Sequence, residues 1–200
     1  MSEREKEEKK KEEEFKIEFL PDDTFKFDKS FNVVLAGNSR TGKSCLMKKA
    51  WHNEFVDDYS ETYAFEFISS YIKINESIIK LNIWDTSGQW IYKSSVIHYY
   101  EKSSLVYSID DKESFDYIKD LYTEFKDKTN LKQKIILVGN KSDLEEERKI
   151  SKDEAIKFRN ENGFDLFMET SAKTGYNAKN LIIETAKMIY SDNSSNLWKK

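Results

Sequence analysis

Cysteine, proline and glycine are scarce in this 200-residue chain, which holds one, one and six of them. The single cysteine, Cys45, excludes an internal disulfide and a four-cysteine zinc site. No apolar run approaches the roughly 18 residues that a membrane-spanning helix needs. With 37 acidic residues, 33 basic residues and only four arginines among the latter, the chain is a poor candidate for nonspecific nucleic-acid binding. Because glycines are few, each is expected where the backbone requires one.

Composition divides the chain into four segments. Residues 1–14 carry 12 charged side chains of both signs, which predicts a solvated tail without a fold of its own. In the N-terminal extension, 15–30, aromatic and charged residues alternate on either side of a turn signal at Pro21. This alternation fits a two-stranded ribbon or a linker that packs a few rings on the domain, and both interpretations stay open. Residues 31–190 are expected to form one domain, followed by a C-terminal tail at 191–200.

From Phe31 onward, segments with the pattern of buried strands alternate with segments of helical periodicity. This order is typical of an α/β domain with a mostly parallel sheet. Asn75 and Glu76 join two of the predicted strands as a hairpin. The predicted strands cover 31–36, 65–74, 77–84, 105–109, 134–138 and 164–168, and the predicted helices lie near 113–127, 151–161 and 177–190, with an earlier one ending near Asn53.

The segment directly after the first buried strand fits the phosphate-binding pattern G-x-x-x-x-G-K-S. Its glycines let successive N–H groups turn inward, and the helix that follows adds positive potential at its N-terminus. Lys43 is placed to reach the β- and γ-phosphates of a nucleotide, and the Ser44 hydroxyl to bind Mg²⁺. Cys45 has the size of a core residue at the border of this loop. The predicted nucleotide contacts in this segment are Ser39, Arg40, Thr41, Gly42, Lys43, Ser44 and Cys45.

A second polar segment, Gly139 to Asp143 (GNKSD), also follows a buried strand. In open α/β sheets, ligands bind at the carboxyl ends of the strands. Guanine presents two donors on one edge, and a carboxylate presents two acceptors, so Asp143 predicts selectivity for guanine. Adenine would leave this carboxylate without partners, which costs several kcal/mol in a desolvated site. An ATPase or a kinase is therefore disfavoured.

Four motifs occur in order along the chain and resemble those of a Ras-superfamily small GTPase over residues 30–190. They are the phosphate loop, Asp85-Thr86-Ser87-Gly88-Gln89, Asn140-Lys141-Ser142-Asp143 and Ser171-Ala172-Lys173. Residues 84–89 (WDTSGQ), the preceding 80–83 and Ser171-Ala172-Lys173 resemble the Rab branch most. The resemblance implies a mostly parallel six-stranded sheet with one antiparallel edge strand and helices on both faces.

The resemblance also implies which residues act on the γ-phosphate. Gln89 would orient the attacking water, and the Gly88 N–H would contact the γ-phosphate. Thr62 would bind Mg²⁺ through its hydroxyl and the γ-phosphate through its backbone. Together with Lys43, these three residues are the expected catalytic group.

The remaining contacts implied by the resemblance concern the metal and the base. Mg²⁺ would be held by Ser44 and Thr62, with Asp85 acting through a water. Tyr59 would cover the phosphates, and Phe55 would stack on the guanine edge. The other implied base contacts are Asn140, Lys141, Asp143, Ser171, the Ala172 N–H and Lys173.

Five residues in three places depart from the Rab pattern. Ala64 stands where Rab proteins usually have glycine, Trp90 follows the glutamine in place of glutamate, and residues 101–103 replace an arginine-glycine-alanine triplet. These departures concern the surface read by effectors, so partner identity is not predicted. Residues 193–200 contain no cysteine, so no prenyl anchor is expected on this chain. Either a natural tail was trimmed, or the protein works without its own lipid anchor.

Two function classes follow. The first is a monomeric molecular switch that binds GTP or GDP with Mg²⁺, hydrolyses GTP slowly and serves vesicle trafficking or signalling. Its implied partners are an exchange factor, a GTPase-activating protein and effectors, and its implied location is the cytoplasm, including the cytosolic face of membranes reached through partners. The second class is a scaffold that holds guanine nucleotide without efficient cycling.

Overall fold

The structure is a computed structural model and describes residues 15–55, 65–86, 102–128 and 134–194. The strands within these ranges are β1 (Ile17–Leu20), β2 (Lys29–Ala36), β3 (Phe65–Ile74), β4 (Ser77–Thr86), β5 (Lys102–Ser108), β6 (Lys134–Asn140) and β7 (Leu166–Glu169). The α-helices there are α1 (Lys43–His52), α2 (Lys112–Lys128), α3 (Lys152–Asn162) and α4 (Ala178–Ser194). The predicted helices are confirmed, and α4 continues past the predicted domain boundary at 190. None of the described helices is long and apolar enough to cross a bilayer.

The strands form one sheet in the order β1-β3-β4-β2-β5-β6-β7. Strands β4, β2, β5, β6 and β7 run parallel, whereas β3 is antiparallel to both β4 and β1. The predicted α/β class and the predicted β3–β4 hairpin are confirmed, and Asn75 makes the turn with φ 54°. The predicted strand count was wrong by one: the sheet has a seventh strand, β1. Because β1 lies outside β3, the antiparallel strand is not the edge of the sheet.

Both faces of the sheet are covered by helices, as predicted. In β2, Val33 and Leu35 face α1 and α4, whereas Val34 and Ala36 face α2 and α3. A strand buried on both sides must be apolar at successive positions, which explains the apolar run 33–36 at the end of β2. The same central strand therefore fixes the position of the loop that follows Ala36.

The N-terminal strand β1 pairs with β3, in register from Ile17 opposite Ile74 to Leu20 opposite Tyr71. Of the two interpretations left open for 15–30, the two-stranded ribbon does not form, because residues 25–28 form no strand with β1. An isolated two-stranded ribbon is marginal in water. The open edge of β3 instead gives β1 a backbone partner and an apolar surface to pack against. Two ring contacts reach α4: Phe15 packs edge-on against Tyr190, and Lys179 lies 4.4 Å from the Phe19 ring centroid.

Residues 21–28 then cross the β3–β4 hairpin to reach β2. Phe27 packs at 6.0 Å from the Tyr71 ring, and the Lys80 ammonium lies 5.6 and 5.5 Å from these two rings. Asp28 donates its N–H to the Ile78 carbonyl at 2.8 Å, and its carboxylate accepts the Ile78 N–H at 2.7 Å. We call residues 15–28 the N-terminal arm. The arm contacts both strands of the hairpin.

Candidate functional site

The candidate site lies at the carboxyl ends of the parallel strands. The loops after β2, β6 and β7 and the end of β4 all meet at this edge, because those strands run in the same direction. This is the usual ligand edge of an open α/β sheet. The structure therefore brings three of the four sequence motifs to one place, together with Asp85 of the fourth.

The phosphate loop requires glycine at two positions for steric reasons. A Cβ atom at Gly37 would lie 2.0 Å from the Val106 carbonyl oxygen, and one at Gly42 would lie 2.6 Å from Nδ2 of Asn140. Gly42 also has φ 81°, a left-handed conformation that side chains disfavour, at the residue before α1. The loop thus turns tightly into the helix and leaves its N–H groups at the helix N-terminus for an anion.

Lys43 lies buried inside this loop, with 6% of its surface exposed. Its ammonium donates to the carbonyl oxygens of Gly37 at 2.9 Å and Asn38 at 2.7 Å. Burial lowers the pKa of Lys43 from 10.5 to about 8, and the nearby Asp85 carboxylate partly opposes this shift. A bound phosphate would add negative charge beside the ammonium and favour its protonated form.

Ser44 and Asp85 adjoin each other beside the phosphate loop. The Ser44 hydroxyl donates to Oδ2 of Asp85 at 2.5 Å. Asp85 is fully buried near the end of β4, and the next residue, Thr86, donates its hydroxyl to the Leu35 carbonyl at 2.9 Å. Hydroxyl and carboxylate oxygens are the ligands that Mg²⁺ prefers, directly or through water, so this pair fits the metal. The third predicted metal residue, Thr62, lies outside the described residues.

Asn140 connects the phosphate loop to the loop after β7. Its Nδ2 donates to the Thr41 carbonyl at 2.9 Å, and its Oδ1 accepts from the Thr170 hydroxyl at 3.1 Å and the Ala172 N–H at 3.3 Å. Asn140 is fully buried. The Ala172 N–H, one of the implied base contacts, is thus directed to Asn140 here. Sequence reasoning missed Thr170, whose only signal is its position after β7.

Asp143 is held in place by the loop after β7. The Ser171 hydroxyl donates to Oδ1 of Asp143 at 2.5 Å and accepts the Thr174 N–H at 3.1 Å. Asp143 itself is exposed, as a residue that reads a ligand must be before the ligand binds. Lys141 is half-buried with φ 61°, and Lys173 is exposed.

The remaining predicted site residues divide into two groups. Phe55 is half-buried and packs against the apolar cluster that contains Leu46 and Ala172. This cluster borders loops 140–143 and 170–173, which we call the base loops. Ser39 and Arg40 are exposed in the phosphate loop, and Cys45 is half-buried at its border. The others lie outside the described residues: Tyr59, Thr62, Gly88 and Gln89, as do the departures at Ala64 and Trp90.

Comparison with known proteins adds an independent finding. The family model described as "Ras family" matches residues 32–191. The curated relative "Ras-related protein Rab-4" from Dictyostelium discoideum is 37% identical over 159 residues, which cover 78% of this chain and 77% of that protein. The family match contains every loop of the candidate site and begins after the N-terminal arm.

Proposed function

The chain belongs to the Ras family of small GTPases, and on that premise we propose that it is a Rab-like switch that hydrolyses GTP slowly. The observation that carries this proposal is the connected site in which Asn140 bonds to both the phosphate loop and the loop after β7. One ligand with phosphates at one end and a base at the other would span these two loops. A guanine nucleotide has that shape.

On this proposal, Lys43 exchanges its two carbonyl partners for the β- and γ-phosphates. The buried ammonium then gains a full counter-charge in a desolvated place, where such a contact is strong. Ser44 and Thr62 would hold Mg²⁺, with Asp85 acting through a water. The metal supplies positive charge to the phosphate oxygens. Asp143 reads the guanine edge together with the Ala172 N–H, which would exchange Oδ1 of Asn140 for the base. Phe55 lies beside the base.

The switch itself depends on the γ-phosphate. Thr62 and Gly88 would hold it through their backbone, so its loss would release both segments and change the surface offered to partners. Gln89 orients the attacking water. Arg40 is exposed in the phosphate loop, and the sequence of the four motifs contains no other arginine, so we propose that no arginine of these motifs stabilises the transition state in cis. Unaided hydrolysis is therefore expected at a rate on the order of 10⁻⁴ to 10⁻³ per second.

The Rab-like motifs support a place in vesicle trafficking or signalling. An exchange factor, a GTPase-activating protein and effectors would act on the segments around Thr62 and Gln89. The protein would work as a monomer in the cytoplasm, or at the cytosolic face of membranes that it reaches through partners.

A scaffold that holds guanine nucleotide without efficient cycling is the second candidate. The observation that favours it is the set of departures at Ala64, Trp90 and 101–103. Nucleotide analysis of the purified protein, followed by single-turnover GTP hydrolysis with and without Mg²⁺, separates the two. Bound guanine nucleotide with no detectable turnover would favour the scaffold, and no bound guanine nucleotide would overturn both.

Ser44→Asn is expected to weaken binding of GTP with Mg²⁺ more than binding of GDP. The larger amide crowds the metal position beside Asp85, and the GTP state uses both Ser44 and Thr62 there. Equilibrium titration with each nucleotide, with Mg²⁺ and with a chelator, measures the difference. An equal loss for both nucleotides would contradict metal binding by two residues.

Gln89→Leu is expected to slow hydrolysis about tenfold or more while nucleotide affinity stays within a few-fold. The substitution removes the group that orients water and leaves the phosphate loop and the base loops intact. Single-turnover release of phosphate measures the rate, and Gln133→Leu is the matched control at a glutamine outside the four motifs. An unchanged rate would show that Gln89 does not orient the water.

A further inference from the structure

Arg148 and Glu169 form a two-bond ion pair behind the base loops. Nη1 of Arg148 lies 2.7 Å from Oε1 of Glu169, and Nη2 lies 3.1 Å from Oε2. Only 12% and 7% of the two side chains are exposed. Because burying two charges is costly, such a pair is stable only with its full set of hydrogen bonds, and removing one partner leaves the other charge unpaired.

The ion pair joins the two base loops at one end of each loop. Arg148 directly follows the 3₁₀ turn Glu145–Glu147, which comes after Asp143. Glu169 is the last residue of β7 and directly precedes the loop 170–173. The ion pair therefore sets the separation of the two loops from behind.

Further bonds between the same loops lie closer to the base position. The Ser142 N–H donates to the Thr170 carbonyl at 3.0 Å, and Ser171 donates to Asp143. These contacts involve short side chains and backbone, so they hold only while the loops stay at this separation. Arg148 also donates to Glu145 at 2.6 and 2.9 Å, which fixes its guanidinium at the 3₁₀ turn that follows loop 140–143.

A buried tyrosine restricts the other side of this assembly. Tyr107, Gly139 and Glu169 lie side by side across β5, β6 and β7. The Tyr107 hydroxyl lies 2.7 Å from where a Cβ atom of Gly139 would be, so the ring fills the space beside this glycine. The charge of Glu169 is compensated by Arg148 and by Lys152 at 3.3 Å.

We propose that Arg148 and Glu169 are positioning residues for guanine recognition. Their ion pair keeps the loop 140–143 and the loop 170–173 at the separation at which Asp143 and the Ala172 N–H meet the same base. This role rests on the proposed function of the site. A purely structural ion pair would add stability without affecting the distinction between bases.

The test compares GDP with inosine diphosphate, which lacks the 2-amino group that Asp143 would accept. We expect Glu169→Gln to speed GDP dissociation about tenfold and to speed inosine diphosphate dissociation less, so that the inosine diphosphate rate divided by the GDP rate falls about threefold or more. Arg148→Lys, which keeps the charge but loses the two-bond geometry, should change both rates in the same direction by a smaller factor. Dissociation is followed with fluorescent nucleotides well below the melting temperature of each variant.

Glu154→Gln is the matched control. It weakens another ion pair between distant segments, in which Lys112 lies 2.6 Å from Glu154, and neither residue belongs to loop 140–143 or loop 170–173. Its dissociation rates should equal those of the wild type. Equal acceleration of both nucleotides in Glu169→Gln, or no acceleration at all, would overturn the positioning role. If Glu169→Gln does not fold, the change in ratio in Arg148→Lys decides. A wild-type protein without guanine-nucleotide affinity would instead overturn the proposed function, and this inference with it.

Discussion

Asp143→Asn is expected to shift the base preference of the protein from GTP towards xanthosine triphosphate. Both facing atoms of the carboxylate must accept, because guanine presents N–H at N1 and an amino group at C2. Asparagine keeps one acceptor and replaces the other with a donor, so the amino group of guanine meets an N–H. Xanthine has a carbonyl at C2 and fits the new pair. GTP affinity should fall by about 2–4 kcal/mol.

Competition of GTP, ATP and xanthosine triphosphate against a labelled nucleotide measures this change. Lys43, Ser44 and Asn140 are untouched, so the effect should appear in base selectivity alone. Asp22→Asn makes the same replacement at an exposed aspartate of the N-terminal arm and should leave the selectivity unchanged. If Asp143→Asn still prefers GTP to xanthosine triphosphate, Asp143 does not read the base.

Deleting residues 1–28 is expected to lower the melting temperature by several degrees more than deleting residues 1–14. The longer deletion removes β1 from the edge of β3 and uncovers Ile72 and Ile74, which are fully buried. Phe15, Ile17 and Phe19 are half-buried on the same core cluster. Since full burial of such a side chain contributes about 1.5–3 kcal/mol, their partial burial gives roughly 3 kcal/mol in total.

Thermal unfolding of the two truncated proteins checks this expectation. Phe19→Ala and Phe25→Ala form a matched pair within the arm, because Phe19 lies half-buried on the core whereas the Phe25 side chain is 92% exposed. Only the first should lower the melting temperature. Identical melting curves for the two truncations would show that the arm is no more than a tether.

Some features of this molecule can be predicted from sequence because local chemistry dictates them. A loop that must direct successive N–H groups at an anion needs glycine, so Gly37 and Gly42 reveal the phosphate loop. The apolar run 33–36 of β2 likewise predicts a buried strand. Alternating charged and apolar residues predict β1 as a strand. Backbone hydrogen bonding is the same for any partner strand, however, so the sequence does not decide whether β1 pairs with β3 or with residues 25–28.

Contacts that depend on topology were beyond sequence reasoning. The ion pair of Arg148 with Glu169 forms only because β6 and β7 are neighbours, and neither residue carries a local pattern that indicates it. The motif of Asn140 predicts a contact with the base. Its bonds to the phosphate loop depend instead on β2 and β6 lying on either side of β5 in the same sheet.

The N-terminal arm has a consequence for how the chain folds during synthesis. Lys16 bonds to Asn75, 59 positions later, so the arm leaves the ribosome several seconds before its partner strand at about 5–20 residues per second. During that interval Phe15, Ile17 and Phe19 are exposed to other chains. Lys16 and Glu18 alternate with these apolar residues, and such charges oppose association of unpaired strands. The same alternation that marks the arm in the sequence thus also protects the nascent chain from aggregation.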